Sequence, residues 1–208
     1  WQVAFSALGS TELTGNLQVT AVDPVRPARC KVGDWRATPN GQYVQVLCHD
    51  ADGRPYDAGW TVTYHRERAV TGAVLPPKYF GYAFDHLPTH PGPYTPYPSG
   101  ITFNSAGGRN TIERAGVAGI RWIFFPGVTI TPFNAHATAF GTGPSFCNLL
   151  VPWDFEVRLR VACYENFGTT RNDYRRVDRP SLITQVSAYC PARPARSAPG
   201  RAGRQRPR

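Results

Sequence analysis

The sequence has no methionine, only two lysines (Lys31 and Lys78) against 21 arginines, and no apolar run approaching a membrane span. No charged-then-apolar leader opens the chain at Trp1, so a signal peptide, if there was one, is expected to have been removed already. Recognisable catalytic and metal motifs are scarce. None of His49, His65, His86, His90 and His136 sits in His-x-x-Glu-His spacing, and no Cys-x-x-Cys occurs, which leaves a zinc site little support. Gly141-Thr-Gly-Pro-Ser145 has neither the spacing of a nucleophile elbow nor an adjoining helix signal. Ser105 to Gly108 is glycine-rich but lacks the Lys-Ser/Thr of a phosphate loop, and a turn accounts for it. No cofactor is expected.

What is present favours strands and turns: 20 Gly, 20 Pro, 12% aromatics and 41% hydrophobic residues. The excess of arginine over lysine reads as GC-rich coding, not as a chemical demand. Net charge is +9, but its placement matters more. Pro191 to Arg208 carries six Arg and no acid; without those six, 17 basic residues face 14 acidic ones, so the body is only about +3. A globular nucleic-acid binder would be expected to carry its excess on a folded face. Here it sits on a Pro/Ala/Gly/Arg stretch that cannot build a core, so 191–208 is expected to be a disordered basic tail. Such a tail suits non-specific, salt-dependent contact with an anionic polymer, or it is a plain solvated end.

An internal repeat organises the remainder. One copy runs Trp1-Gln-Val-Ala-Phe5, Asn16 to Val22, Cys30, Trp35, Val44-Gln-Val-Leu-Cys48 and Gly53. The other runs Ile120-Arg-Trp-Ile-Phe124, Asn134 to Phe140, Cys147, Trp153, Leu159-Arg-Val-Ala-Cys163 and Gly168. The two Cys are 18 apart in one copy and 16 in the other, and the second Cys precedes Gly by five in both. Val44, Val46 and Cys48, like Leu159, Val161 and Cys163, recur with the period of two that turns one strand face inward. Four cysteines allow three connectivities, and the repeat favours Cys30–Cys48 and Cys147–Cys163 on adjacent strands. Each bridge would contribute about 3 kcal/mol by chain entropy. Cys190, left over at the edge of the tail, is either a stray thiol or a link to a second chain. Disulfides imply an oxidising compartment, so the protein is expected to be secreted or on the cell surface.

Between the copies lie Tyr82-Ala-Phe84, Tyr94-Thr-Pro96, Phe103-Asn-Ser-Ala-Gly-Gly108 and Asn110-Thr-Ile-Glu-Arg114. They read as further strands, with Ile101 and Phe103 on one and Thr111 to Arg114 on the next. The first copy has no counterpart to them and reads as an incomplete module. The expected division is therefore 1–75, an incomplete first β module; 76–190, a second; and 191–208, the tail.

Tyr94-Thr-Pro96, Phe103-Asn-Ser-Ala-Gly-Gly108 and Asn110-Thr-Ile-Glu-Arg114, together with Gly15-Asn-Leu-Gln-Val-Thr-Ala21, Cys30-Lys-Val-Gly-Asp-Trp35 and Asp50-Ala-Asp-Gly-Arg-Pro-Tyr-Asp57, resemble secreted actinobacterial tandem β-repeat proteins of uncharacterised function. The likeness covers most of Trp1 to about Asp173 and departs from the pattern after Cys163. It implies export and repeated β modules, and it supplies no catalytic residues. The expected fold is all-β: tandem immunoglobulin-like antiparallel β-sandwich modules with one disulfide each.

Three features compete for function. Asp50-Ala-Asp-Gly53 opens like a calcium loop, but Val62 stands where the bidentate Glu belongs, and a hairpin turn explains it better. Asp85-His86 with His90 is the densest ionisable group, which admits a secreted hydrolase, although an exposed loop explains it more simply. The Pro-rich stretch 79–97 carries Tyr79, Tyr82, Tyr94 and Tyr97, the candidate binding aromatics, because rings on stiff loops lose little entropy on contact. A sandwich core uses the same residues and has the stronger claim on them. The leading expectation is a non-catalytic interaction or structural module of the cell envelope or a secreted assembly, with no membrane span. Its partner would be a protein or an envelope polymer, and Cys190 offers self-association or a covalent link. An extracellular enzyme inhibitor or carbohydrate-binding domain is the alternative.

Overall fold

In the computed structural model, residues 1–68, 79–116, 119–128, 134–151, 158–166, 174–176 and 183–190 are described. The expected boundary between residues 75 and 76 and the tail 191–208 lie outside them. Among the described residues, fourteen strands run β1 (Gln2–Ser6), β2 (Asn16–Val22), β3 (Ala28–Thr38), β4 (Gly41–Asp50), β5 (Gly59–His65), β6 (Tyr79–Asp85) and β7 (Thr102–Asn104). They continue as β8 (Thr111–Arg114), β9 (Ile120–Phe124), β10 (Asn134–Phe140), β11 (Phe146–Val151), β12 (Arg158–Asn166), β13 (Tyr174–Arg176) and β14 (Ile183–Cys190). A 3-10 turn, Ser99–Ile101, precedes β7. The protein is all-β.

Three sheets form: a seven-stranded sheet in the order β1-β4-β3-β10-β14-β6-β7, a five-stranded one with β11-β12-β9-β8 and β13 beside β12, and the ribbon β2-β5. One sheet thus draws strands from both expected segments. Their junction is a parallel pairing of β10 with β3 at Phe140 and Val32, where the Gly141 N–H donates to the Val32 carbonyl at 2.9 Å. Every other ladder is antiparallel.

The large sheet is buried on both sides where β10 and β6 run through it. Alternate residues of a strand face opposite ways, and β6 sends Phe80, Tyr82 and Phe84 one way and Gly81, Ala83 and Asp85 the other. Phe84 packs with Trp35 and Phe140 in a core that also holds Leu17, Val19, Val32, Val44, Val46 and Cys48. Ala83 joins Ile112, Ile123, Phe125, Leu159, Val161 and Cys163 in a second core. Gly81 lets these layers approach, since a Cβ there would lie 2.6 Å from Phe125 Cδ1. On β10, Ala135, Ala137 and Ala139 pack against the second core, while Thr138 Oγ1 meets the Val19 N–H at 3.2 Å and Phe140 enters the first. The ribbon therefore covers one face and the five-stranded sheet the other.

The disulfide hairpins are built alike. Cys30 faces Cys48 across β3 and β4, and Cys147 faces Cys163 across β11 and β12. Both bridges are formed, with Cα–Cα distances of 4.1 and 4.0 Å. Trp35 is buried beside the first and donates Nε1–H to Gln42 Oε1 at 2.9 Å; Trp153 lies outside the described residues. The strand beyond each hairpin also corresponds, since β1 pairs β4 as β9 pairs β12.

Candidate functional site

The Asp85 region is a closed structural clamp. Asp85 is 1% exposed, and its Oδ2 lies 3.0 Å from Nε of Arg121, itself buried on β9. The Tyr94 hydroxyl donates to the other oxygen. Arg121 also donates from Nη1 to the carbonyl of His90 (2.8 Å) and from Nη2 to those of Leu87 (3.2 Å) and Pro88. The loop 86–93 is thereby fastened over the edge of the second core. Burial pushes the Asp85 carboxyl upward, against the lowering pull of Arg121 and Tyr94; burial, with Asp85 alongside, raises the Tyr94 hydroxyl. The rings of His86 and His90 lie 5.6 and 5.1 Å from that of Tyr94. Both carboxylate oxygens of Asp85 are thus engaged by groups of the fold, one by Arg121 and one by Tyr94. The sequence-based expectation of an exposed loop is corrected for Asp85: it sits on a strand, buried by an arginine 36 positions downstream in the sequence.

The candidate binding aromatics separate. Tyr82 is 1% exposed, stacked on Phe103 at 5.8 Å and edge-on to Phe80 at the same distance, so it belongs to the core. Tyr94 is committed to the clamp. Of the described side chains among the four, Tyr97 alone is presented to solvent, at 77% exposure. The side chain of Tyr79 lies outside the described residues, as does that of Cys190, whose backbone pairs with Tyr79 at the end of β14. Among the described side chains, Tyr82, Tyr94 and Tyr97 form no continuous exposed patch.

The turn expected at Asp50-Ala-Asp-Gly53 is formed. Asp50 Oδ1 accepts the N–H groups of Asp52 and Arg54, both at 2.9 Å, and Gly53 takes a positive φ of 81° that suits glycine. The Phe103–Gly108 motif is likewise architectural. Asn110, 3% exposed, donates to the carbonyls of Tyr82 (3.2 Å) and Phe103 (2.9 Å) and accepts from Asn104 Nδ2 at 3.0 Å, tying the β7–β8 connection to β6.

Two further places had no sequence signal. The first lies between the disulfides. Lys31, 4% exposed, points from β3 toward the five-stranded sheet and donates Nζ–H to Ser145 Oγ at 2.9 Å and to its carbonyl at 3.2 Å. Desolvation lowers the Lys31 pKa to about 8. Neighbouring His49 is lowered by burial and by the charges of Lys31 and Arg29, with Asp50 opposing. A lysine of depressed pKa beside a serine is a pairing that can activate a nucleophile. Here Ser145 is 6% exposed and the adjoining cavity holds about 40 Å³, too little for a substrate. The pair fastens β3 to the turn between β10 and β11.

The second is the outer face of β8 and β9. Trp122 and Phe124 are half-buried there under the guanidinium groups of Arg160 (5.4 Å) and Arg158 (5.8 Å). With Pro93, Arg109 and Glu113 they line a cleft of about 320 Å³. The alternation Arg-Trp-Ile-Phe read as a strand, without saying that its aromatic face would be the outer one.

No group of three or more His, Cys, Asp or Glu side chains converges as a metal site among the described residues. No helix among them is long and apolar enough to cross a membrane. Comparison with protein-family models, with curated proteins and with solved structures found no match.

Proposed function

We propose that this protein is an exported, non-catalytic β-sandwich interaction or structural module of the cell envelope or of a secreted assembly. One observation carries the reading: both buried ionisable clusters, Asp85–Arg121–Tyr94 and Lys31–Ser145, close on the fold's own groups and hold sheets and loops together. The two disulfides fit an oxidising compartment. The resemblance to secreted tandem β-repeat proteins, and the like pairing of the two hairpins, support reading the units as repeated immunoglobulin-like modules within such an assembly. Cross-linking in the producing cells, followed by affinity purification and mass spectrometry, tests it. A reproducible envelope or secreted partner is expected. Hydrolytic turnover of peptide, ester or glycoside substrates that disappears in His86→Ala or His90→Ala overturns it in favour of a secreted hydrolase.

A carbohydrate-binding reading is favoured by one feature, the Trp122/Phe124 cleft with its arginines, because flat rings beside hydrogen-bond donors suit a sugar face. Glycan-array binding that is lost in Trp122→Ala would select it.

A further inference from the structure

The two disulfide hairpins differ at their flanks. The Trp1 amine donates to the Val46 carbonyl at 3.0 Å, and the Val46 N–H returns to the Trp1 carbonyl at 2.9 Å. Antiparallel ladders alternate bonded sides residue by residue, so Trp1, Val3 and Phe5 bond β4, and the backbone groups of Gln2 and Ala4 point away from it. In the other unit the Cys163 N–H donates to Gly119, so Gly119, Arg121 and Ile123 bond β12. The opposite edge of β9, at Trp122 and Phe124, is taken by Glu113 and Thr111 of β8. Counting from each bridge, Gln2 stands where Trp122 stands: Gln2 faces Gln45 and Trp122 faces Arg160, each three residues before the second Cys. Among the described residues, no strand lies on that edge of β1.

The ribbon strand β5 repeats the contrast. It pairs with β2 as β14 pairs with β10, yet β14 is flanked by β6 over seven residue pairs, and no strand among the described residues flanks β5. A cleft of about 360 Å³ lies between the ends of β1 and β5, lined by Ala7, Leu8, Gly9, Tyr64, His65 and Arg68 among others. In the second unit the segment from β6 to β8 serves both edges, and its Ile112 is fully buried opposite Ile123.

We propose that the outer edge of β1 is a strand-acceptor site. Its occupant is an extended segment of the β8 kind, polar–apolar–polar in pattern, supplied by another module of the same architecture. This rests on the interaction reading above and specifies its partner. The occupant runs antiparallel to β1, with the residue corresponding to Thr111 opposite Ala4, that of Ile112 opposite Val3, and that of Glu113 opposite Gln2. Main-chain hydrogen bonds supply the affinity, as in strand addition generally, and the apolar residue beside Val3 supplies selectivity. The chain's own β8 cannot serve, because β9 already holds it.

The test uses the full chain and a fluorescent synthetic peptide of sequence Ser99–Gly116, followed by anisotropy. Saturable binding is expected, weakened at least about tenfold by Ala4→Pro, which removes an outward N–H without touching a β1–β4 bond. Binding should also vanish for a peptide N-methylated at the residues corresponding to Thr111 and Glu113, a control that leaves the protein unaltered. Absence of saturable binding overturns the proposal, as does undiminished binding of the N-methylated peptide. Equal binding by a folded Ala4→Pro variant places the peptide elsewhere and also overturns it. Self-association of the chain alone, abolished by Ala4→Pro, would make a second β1 the occupant and replace the one proposed. Cross-linked partners recovered while the peptide fails to bind would leave the interaction reading standing and remove the edge site alone.

Discussion

The two halves carry the same three-strand disulfide unit and bury it to different depths. Around Cys147–Cys163, the residues Ile112, Ile123, Phe125, Leu159 and Val161 are all at 0% exposure. Around Cys30–Cys48, Val32 and Val46 match that, but Val3, Phe5, Trp60, Val62 and Tyr64 are only half-buried. The hairpins are not the cause, since their pairing is alike. The difference lies in what flanks them: β8 and the clamped loop 86–93 cover β9, and no described strand covers β1. A strand's burial is set by its neighbours as much as by its own alternation, and for that reason Ile123 and Val3, equivalent in register, sit in unlike surroundings.

The contrast is sharpest at the residue opposite the valine that precedes the second cysteine by two. Arg121 faces Val161 and is buried; Trp1 faces Val46 and is 62% exposed. Arg121→Met leaves Asp85 buried with no counter-charge and frees three carbonyls of the 87–90 loop. Losing one partner of a buried pair costs about 3–5 kcal/mol, so a marked drop in the urea midpoint is expected. Trp1→Ala, at the exposed equivalent, should change stability by no more than about 0.5 kcal/mol. Comparable losses from the two would break the comparison.

One step inward, Ile123→Ala removes a fully buried side chain and should cost about 3 kcal/mol, within the usual range for such truncations. Val3→Ala, at the half-buried equivalent, should cost about 1 kcal/mol or less. The gap should narrow if the β1 edge is occupied: added peptide of the β8 kind should raise the cost of Val3→Ala and leave that of Ile123→Ala unchanged.

Much of this architecture was legible because local pattern and cysteine spacing carry it. The period-two runs ending at Cys48 and Cys163 became β4 and β12, and Thr111 to Arg114 became β8. The Asp50 turn follows from Asx chemistry. What pattern could not carry was contact between distant segments. Nothing in Val32 or Phe140 announces that β3 and β10 meet in parallel. The buried state of Asp85 depends on Arg121, and the clamp they make with Tyr94 is invisible to any window that holds only one of them. For Tyr82 the core reading had the stronger claim without excluding a surface one, because period two fixes alternation, not which face is covered. On β6 both faces are covered, and only the small residues Gly81 and Ala83 between the rings hinted at a second layer.

Lys31 offers the finest test, since it joins the two halves and has no carboxylate paired with it among the described residues. Its pKa is about 8 in the fold, where desolvation opposes the charge, against about 10.5 in an unfolded chain. Below pH 8 both states are protonated, and the folded protein bears the full cost of a buried ammonium. As pH rises from 8 toward 10.5 the unfolded chain holds more protons than the folded one, so stability increases with pH. From pH 7 to pH 9 the gain from this group amounts to about 1 kcal/mol. The window closes near pH 10, where the buried Tyr82 and Tyr94, both raised above the ordinary tyrosine value, begin to work in the opposite direction. His49, lowered by burial, acts below this range. Urea unfolding at pH 7 and pH 9 should therefore show a rise for the native sequence that is absent in Lys31→Met. The variant keeps the aliphatic stem, loses the ammonium and should be at least as stable at pH 7, because the group it removes is held in the charged form without a counter-ion. An unchanged pH response in Lys31→Met would show that water or a bound anion compensates the ammonium at the junction. The two halves would then be joined by a solvated contact in place of a dry one.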